Sequence, residues 1–303
     1  MINPKKLSAL LCCGILVLQI ALFSQEKSNF VDSELYEYIN DGSWCWFQDE
    51  RAVVDSVKEK LVIGTANMKS GVDLIIFDIN AKSVENTQRF GGLAYNDDHN
   101  SPGMLVAPNG NYLALWAHHY EAGFTRYSVY DGNSWSAEKH FSWKVPHLNT
   151  TNLKACYSNV YSMTKEKRLY NFGRVYNRAP NFCYSDDNGN SWKYGGQITT
   201  NKQGGYTKGY YKYWGNGVDR IDIVLTEKHP REGGKETGTS IYHGYISDRK
   251  MYDSKGKVLD NDIYDRSKMP TDKEFTKVFA NGTKVNGVAM YRCWQHDIVR
   301  YDD

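Results

Sequence analysis

Ser185-Asp186-Asp187-Asn188-Gly189-Asn190-Ser191-Trp192 is the stretch of this 303-residue chain that decides its fold. It fits the Asp-box pattern S-x-D-x-G-x-S/T-W at every fixed position. The pattern is a β-hairpin turn: the aspartate accepts backbone N–H bonds, the glycine supplies a positive φ, and the tryptophan plugs the gap between sheets. A shortened copy stands at Tyr130-Asp131-Gly132-Asn133-Ser134-Trp135 and a weaker one at Phe77-Asp78-Ile79-Asn80. Tyr252-Asp253-Ser254-Lys255-Gly256 is a further candidate. Asp78, Asp131 and Asp187 are spaced 53 and 56 residues apart, close to the period of about 50 for one four-stranded propeller blade. A β-sandwich with similar hairpins is the alternative, but a turn recurring at blade spacing favours the propeller.

Strand-like runs fill the intervals: 60–66, 72–79, 112–117, 126–130, 169–172, 182–185, 221–225, 240–246 and a last one over 297–301. Each is bounded by Gly, Asn, Asp or Pro, and no sustained helical periodicity follows residue 24. The expected class is all-β, a β-propeller of four-stranded blades. At about 50 residues per blade, residues 25–303 hold five or six. Twenty-three tyrosines, eight tryptophans and 26 glycines agree with strands and tight turns. Aromatic faces also suit the apolar faces of sugar rings. Asp boxes are structural, so they name an architecture and not a chemistry.

The N-terminus carries Lys5 and Lys6, an apolar run over 7–23 and the small Ser24, which predicts a secretory signal peptide over 1–24 and a propeller domain over 25–303. The apolar run is at the short limit for a membrane span, and no basic stop-transfer cluster follows it. Cys12 and Cys13 invite a lipoprotein reading, but each follows a large or reactive residue, so a secreted or periplasmic protein is the stronger expectation. Without the two lysines the formal charge falls from +2 to 0, which is no electrostatic footprint for nucleic acid or an acidic membrane. Cys45, Cys156, Cys183 and Cys293 remain, with no CxxC pair; one disulfide is open to them in an oxidising compartment.

Three segments break the strand-turn rhythm with groups of catalytic type. In Asn96-Asp97-Asp98-His99-Asn100-Ser101-Pro102-Gly103 a histidine lies among carboxylates, where it could serve as acid or base near neutral pH. In Trp116-Ala117-His118-His119-Tyr120 two histidines adjoin at a strand end and must point to opposite faces. In Cys156-Tyr157-Ser158-Asn159 a tyrosine opens one strand, while Arg174 closes the next. Such a pair can meet at a propeller's axial pocket, where arginine binds a carboxylate in bidentate fashion. Trp116, His118 and Asn100 are candidates for substrate contact. His229 and His243 flank a hairpin-like stretch and, with a further ligand, could hold zinc, although no compact ligand spacing is present.

Taken together, Trp44-Cys45-Trp46-Phe47-Gln48-Asp49-Glu50-Arg51-Ala52, Asp98-His99-Asn100-Ser101-Pro102, Tyr157-Ser158-Asn159, Tyr210-Tyr211-Lys212-Tyr213, Gly217-Val218-Asp219-Arg220-Ile221-Asp222, His229-Pro230 and Ile241-Tyr242-His243-Gly244-Tyr245 resemble the BNR-repeat-containing family of bacterial propellers. That family includes ulvan lyases and is similar to seven-bladed enzymes that cleave rhamnose–glucuronate linkages. The resemblance implies an axial cleft in which His99, His119, Tyr157, Arg174 and Tyr210 are catalytic, and a structural zinc near His229 and His243. It implies no cofactor for catalysis itself. Glu50 stands where the family pattern has proline, and members run beyond residue 303, so a ring shortened at its final blades is expected.

The residues fit elimination best. A uronate C5 proton becomes removable once the carboxylate charge is neutralised, by Arg174 with a protonated histidine. His99 or Tyr157 takes the proton and the other supplies one to the leaving oxygen. A glycoside hydrolase, α-rhamnosidase- or sialidase-like, would instead need two carboxyl groups across the bond, for which Asp49, Asp97 and Asp98 are available. A non-catalytic sugar-binding propeller or inactive fragment is the third reading. The expected ligand in every case is a polysaccharide or oligosaccharide, uronate-containing for the lyase.

Overall fold

The computed structural model describes residues 35–45, 48–49, 51–92, 97–119, 123–144, 153–200, 209–229, 238–265 and 268–301. The expected signal peptide, Cys12, Cys13, Trp46, Phe47, Glu50, Asn96, Tyr120 and Pro230 lie outside them. By its contacts the chain divides into a leading unit, Met1–Glu37, and a second, Tyr38–Asp303, to which all the sheets belong. No helix among the described residues is long and apolar enough to cross a membrane.

Four antiparallel sheets follow one another along the chain. The first holds β1 (Gly42–Ser43), β2 (Ala52–Asp55), β3 (Lys60–Asn67), β4 (Gly71–Asp78) and β5 (Ser83–Phe90), with both β1 and β2 pairing β3. The second is β6 (Gly103–Val106), β7 (Tyr112–Trp116), β8 (Phe124–Tyr130) and β9 (Lys139–Ser142). The third is β10 (Cys156–Met163), β11 (Arg168–Arg174), β12 (Pro180–Ser185) and β13 (Lys193–Gln197). The fourth is larger: β14 (Tyr211–Gly215), β15 (Ile221–Thr226), β16 (Ile241–Ser247), β17 (Lys250–Asp253), β18 (Val258–Asp260) and β19 (Thr276–Phe279), the last pairing β16. β20 (Lys284–Val285) and β21 (Val288–Ala289) form a separate hairpin.

Each sheet buries its faces against the next, as propeller blades do. Strand β7 shows how: Tyr112, Ala114 and Trp116 pack with Val62, Leu74 and Ile76 of the first blade, while Leu113 and Leu115 pack with Val160, Leu169 and Cys183 of the third. Alternate residues thus serve opposite neighbours, the period-2 rule of a strand buried on both faces. The third and fourth blades meet likewise through Tyr170, Phe172 and Phe182 against Ile221, Ile223 and Leu225. The described blades number four, against the five or six expected from length, because the fourth blade and the inter-blade segments absorb more residues than the average. Residues 297–301, expected as a strand, carry no strand pairing.

The Asp boxes do what the sequence predicts. Asp187 accepts from the Ser191 N–H at 2.9 Å and from the Ser185 and Ser191 hydroxyls at 2.7 and 2.5 Å. Gly189 takes φ +88, and Trp192 stacks on Phe141. Asp131 and Asp253 cap their turns through the same backbone bonds, to residues 133 and 134 and to 255 and 257. Asp78, Asp131 and Asp187 all occupy the turn between third and fourth strands of a blade, whereas Asp253 sits one turn later, between β17 and β18.

Around the axis, β10 lies beside both β6 and β14, and residues of all three line a pocket with Asp49 and Asp297. Gln48, Asp49 and Arg51 belong to this hub. Arg51 donates to the Ser158 carbonyl at 2.5 Å and to Asn159 Oδ1 at 2.9 Å. Asp49 accepts from the Tyr161 hydroxyl at 2.7 Å and the Tyr213 N–H at 3.1 Å. Lys212 donates to the Gln48 carbonyl. Burial pushes Asp49 up to about 6, against the pull of Lys212, and brings Arg51 down to about 10 despite Asp49.

Cys45, Cys156, Cys183 and Cys293 are buried and form no disulfide with one another. The packing of turn and hub can be tested by substitution. Gly189→Ala places a Cβ 2.8 Å from Leu113 Cδ2 at a positive φ and lowers stability by about 1–3 kcal/mol, and Asp187→Ala lowers it by at least about 1 kcal/mol, both read from urea unfolding. Arg51→Met takes the donor from the buried Ser158 carbonyl and Asn159 Oδ1, with Lys212 still beside Asp49, and costs about 1.5–3 kcal/mol; a change well below about 1 kcal/mol in the same assay would remove the hub from the account.

Candidate functional site

The polar residues singled out in the sequence come from equivalent places in successive blades. His99 lies just before β6, Tyr157 at the start of β10 and Tyr210 just before β14, so each guards the entry to an inner strand. His119 follows the end of β7, Arg174 closes β11 and His229 follows β15, so each marks the exit of a second strand. Antiparallel pairing puts entry and exit at the same end of a blade, as Cys156 opposite Arg174 shows. One rim therefore carries all six.

On the second blade Asp97 organises the histidines. It precedes the 3-10 turn Asp98–Asn100 and accepts the His99 N–H at 2.9 Å. The same carboxylate meets His99 Nδ1 at 2.6 Å and His119 Nδ1 at 2.8 Å, while Asp98 also reaches His99 Nδ1 at 2.6 Å. The two imidazoles stack, with centroids 3.9 Å apart and planes 7° from parallel. Asn100 Oδ1 accepts the His119 N–H at 3.1 Å. Burial raises Asp97, but the His99 N–H and both imidazoles outweigh it and hold the carboxyl below its usual range. Burial and the neighbouring His99 keep His119 below the usual imidazole value, although Asp97 opposes them.

Tyr157 continues the stack, its ring 5.6 Å from His99 and 19° from parallel. A bulge places it there. In the β10–β11 ladder Cys156 faces Arg174 and Asn159 faces Phe172, so Tyr157 and Ser158 together oppose Gly173. The extra residue turns the strand, and Tyr157 takes φ +67, a conformation that costs a non-glycine residue about 1–3 kcal/mol. Gly173 admits the bulge because a Cβ there would stand 3.3 Å from the Tyr157 carbonyl and 3.0 Å from Trp143.

Tyr157, Arg174 and Tyr210 line one small cleft with Asn159, Tyr211 and Tyr213. Arg174 donates through Nε to the Arg178 carbonyl at 3.0 Å, and its guanidinium lies 4.8 Å over the Tyr210 ring. Tyr210 in turn contacts His229 Nε2 at 3.3 Å and packs with Trp294. Catalytic candidates His99, His119, Tyr157, Arg174 and Tyr210 thus form one continuous set. No carboxylate is among the described lining of the cleft.

The three substrate-contact expectations fail on burial. Trp116 is fully enclosed between the first two blades and packs on Phe90. His118 is 3% exposed, and burial, then the Arg126 charge, bring it down to about 4; it is the inward member of the pair, and His119 is the member stacked on His99. Asn100 is buried and holds the His119 backbone instead of a ligand. Among the described residues no ligand set gathers around His229 and His243. His229 contacts Tyr210 and Trp294, whereas His243 contacts Asp222 at 3.0 Å and Ser254 at 2.7 Å. Among the described residues neither belongs to a group of three metal-ligating side chains. Sequence reasoning does not single out the roles of Asp97, Trp294 or His229 beside Tyr210. Asp97 is visible in its motif as one carboxylate among several, but Trp294 lies 84 residues from Tyr210 in sequence and carries no local signal.

No curated protein sequence matches the chain. Among solved structures it is similar to a PL25 ulvan lyase bound to GlcA(1-4)Rha3S, with TM-score 0.57 and 12% identity over 76% of this chain and 60% of that one. A second structure of a PL25 ulvan lyase matches with TM-score 0.55 and 14% identity over 75% of this chain and 59% of that one. The chain spans about three fifths of the length of those lyases, and at such identity the likeness establishes the propeller fold alone. The sequence profile of the BNR repeat-containing family matches residues 52–286, from the second strand of the first blade to the final hairpin, and the chain belongs to that family.

Proposed function

We propose that this protein is a secreted or periplasmic carbohydrate-active enzyme, a polysaccharide lyase that cleaves a uronate-containing, ulvan-like polysaccharide by β-elimination. The observation that carries the reading is the approach of the His99 ring to within 5.6 Å of the Tyr157 ring, beside a cleft lined by Tyr157 and Arg174 whose described lining contains no carboxylate. Hydrolysis by a pair of carboxyl groups needs two such groups facing the scissile bond. Asp97 and Asp98 are bonded to imidazoles, and Asp49 is enclosed in the hub. The fold likeness to lyases that act on ulvan adds support.

In this scheme the Arg174 guanidinium binds the uronate carboxylate and offsets the charge that develops when C5 loses its proton. Either His99 Nε2 or the Tyr157 oxygen takes that proton. The C5–H electron pair becomes the C4–C5 double bond, the C4–O bond breaks, and the other member of the pair protonates the departing oxygen. His119 and Asp97 hold the His99 ring in place, and Tyr210 supports Arg174 through its π-face. The product carries an unsaturated uronate that absorbs in the ultraviolet.

Tyr157→Phe keeps the ring in the stack and removes the acid–base hydroxyl, so the rise in ultraviolet absorbance on ulvan should slow by about 10²–10⁴-fold; a rate within a few-fold of the parent removes Tyr157 from the chemistry. Arg174→Ala should abolish turnover of the free uronate yet lose far less on its methyl ester, whose carboxyl needs no charge neutralised. Equal losses on the two substrates would show that Arg174 does not act on the carboxylate.

A further inference from the structure

We propose that Asp97, His99 and His119 form a binding site for a divalent transition-metal ion, zinc in the first place, and that the bound ion excludes the acid–base role of His99. The ligand atoms of these three side chains all lie within 4.8 Å of one another. Both imidazoles turn the same nitrogen, Nδ1, toward the two oxygens of one carboxylate. Asp98 brings a second carboxylate to His99 Nδ1, and Cys45 forms a further group of three with Asp98 and His99. The carboxylate oxygens of Asp97 and Asp98 thus gather at the Nδ1 edge of the stack.

The donor chemistry selects the ion. Two imidazoles with carboxylate suit zinc or cobalt, and a thiol at the back strengthens that preference, whereas calcium and magnesium favour oxygen donors throughout. The ligands are also held before any ion arrives. Asp97 is fixed by the His99 N–H and His119 by Asn100, outer contacts of the kind that orient metal ligands.

Binding involves no oxidation or reduction: a neutral ring protonated on Nδ1 loses that proton and gains one on Nε2, a change of tautomer with no net release, whereas a ring protonated on both nitrogens releases its Nδ1 proton to solvent. A neutral imidazole bound through Nδ1 thus carries its proton on Nε2. It then has no lone pair to offer the cleft, and His99 cannot act as a base. This inhibitory consequence rests on the lyase reading; the binding itself does not.

Cobalt(II) added to the chelator-treated full chain is the test, because its visible absorption reports coordination without any substrate. The expected result is a tetrahedral-type spectrum that saturates at one equivalent, is displaced by zinc and not by calcium, and persists in His243→Ala. Asp97→Asn should abolish it and His119→Gln should weaken binding by at least about tenfold; circular dichroism checks that each variant is folded, and either folded variant suffices. Absence of the spectrum in the parent, or its survival in the folded variants, overturns the site. Where the parent also cleaves ulvan, zinc should suppress cleavage and chelation restore it, and cleavage unaffected by saturating zinc overturns the exclusion. A protein that binds cobalt as described and cleaves nothing keeps the metal site and loses the lyase reading.

Discussion

The two hydrogen bonds from Arg51 to residues 158 and 159 are the constraint on which both the hub and the cleft depend. They end on the bulge of β10, one residue from Tyr157, whose positive φ is strained and must be held from outside. Gly103 lets the guanidinium in: a Cβ at that position would stand 2.5 Å from the Ser158 carbonyl and 2.9 Å from Arg51 Nη1. An arginine from the first blade, a glycine from the second and a bulge in the third thus fix one catalytic candidate. Desolvating a guanidinium is costly, and Asn159, the Ser158 carbonyl and the nearby Asp49 offset that cost only while the geometry is kept. A neutral, well-packed hub could hold the blades together, but it would not pin this backbone.

Repetition explains how the rest of the site is assembled. A propeller blade offers the axial rim two positions, the entry of its inner strand and the exit of its second. The second blade fills them with His99 and His119, the third with Tyr157 and Arg174, the fourth with Tyr210 and His229. Within a blade the two residues are brought close by antiparallel pairing; between blades they meet because the inner strands lie side by side. The His119–His99 stack is the contact so produced within a blade, and His99–Tyr157 and Arg174–Tyr210 are those produced across blade boundaries.

What the sequence makes legible is local. An Asp box is a turn whose hydrogen bonds span four residues, so its pattern survives in any single chain, and Asp78, Asp131 and Asp187 locate three blades. Most strand interiors are legible too, because apolar runs between turns have no other use in an all-β chain. His99, Tyr157 and Arg174 stand out as catalytic types at strand ends. Trp116 and His118 mislead for one reason: near a strand end, alternation sends neighbouring residues to opposite faces, and residue type does not say which face is wet. The hub is invisible in sequence, since Arg51, Asn159 and Lys212 are ordinary residues that become partners only across more than a hundred positions. Length overestimates the blade number because an average period cannot anticipate a six-stranded fourth sheet.

Asp97 joins these two levels. Its Oδ1 accepts the His99 N–H, which is a scaffold bond of the 3-10 turn, and also meets His99 Nδ1, which is a bond of the site. Its Oδ2 reaches across to His119 on another loop of the same blade. The carboxylate therefore cannot serve one ring without moving the other. Whatever occupies the Nδ1 edge they share is felt by both rings at once.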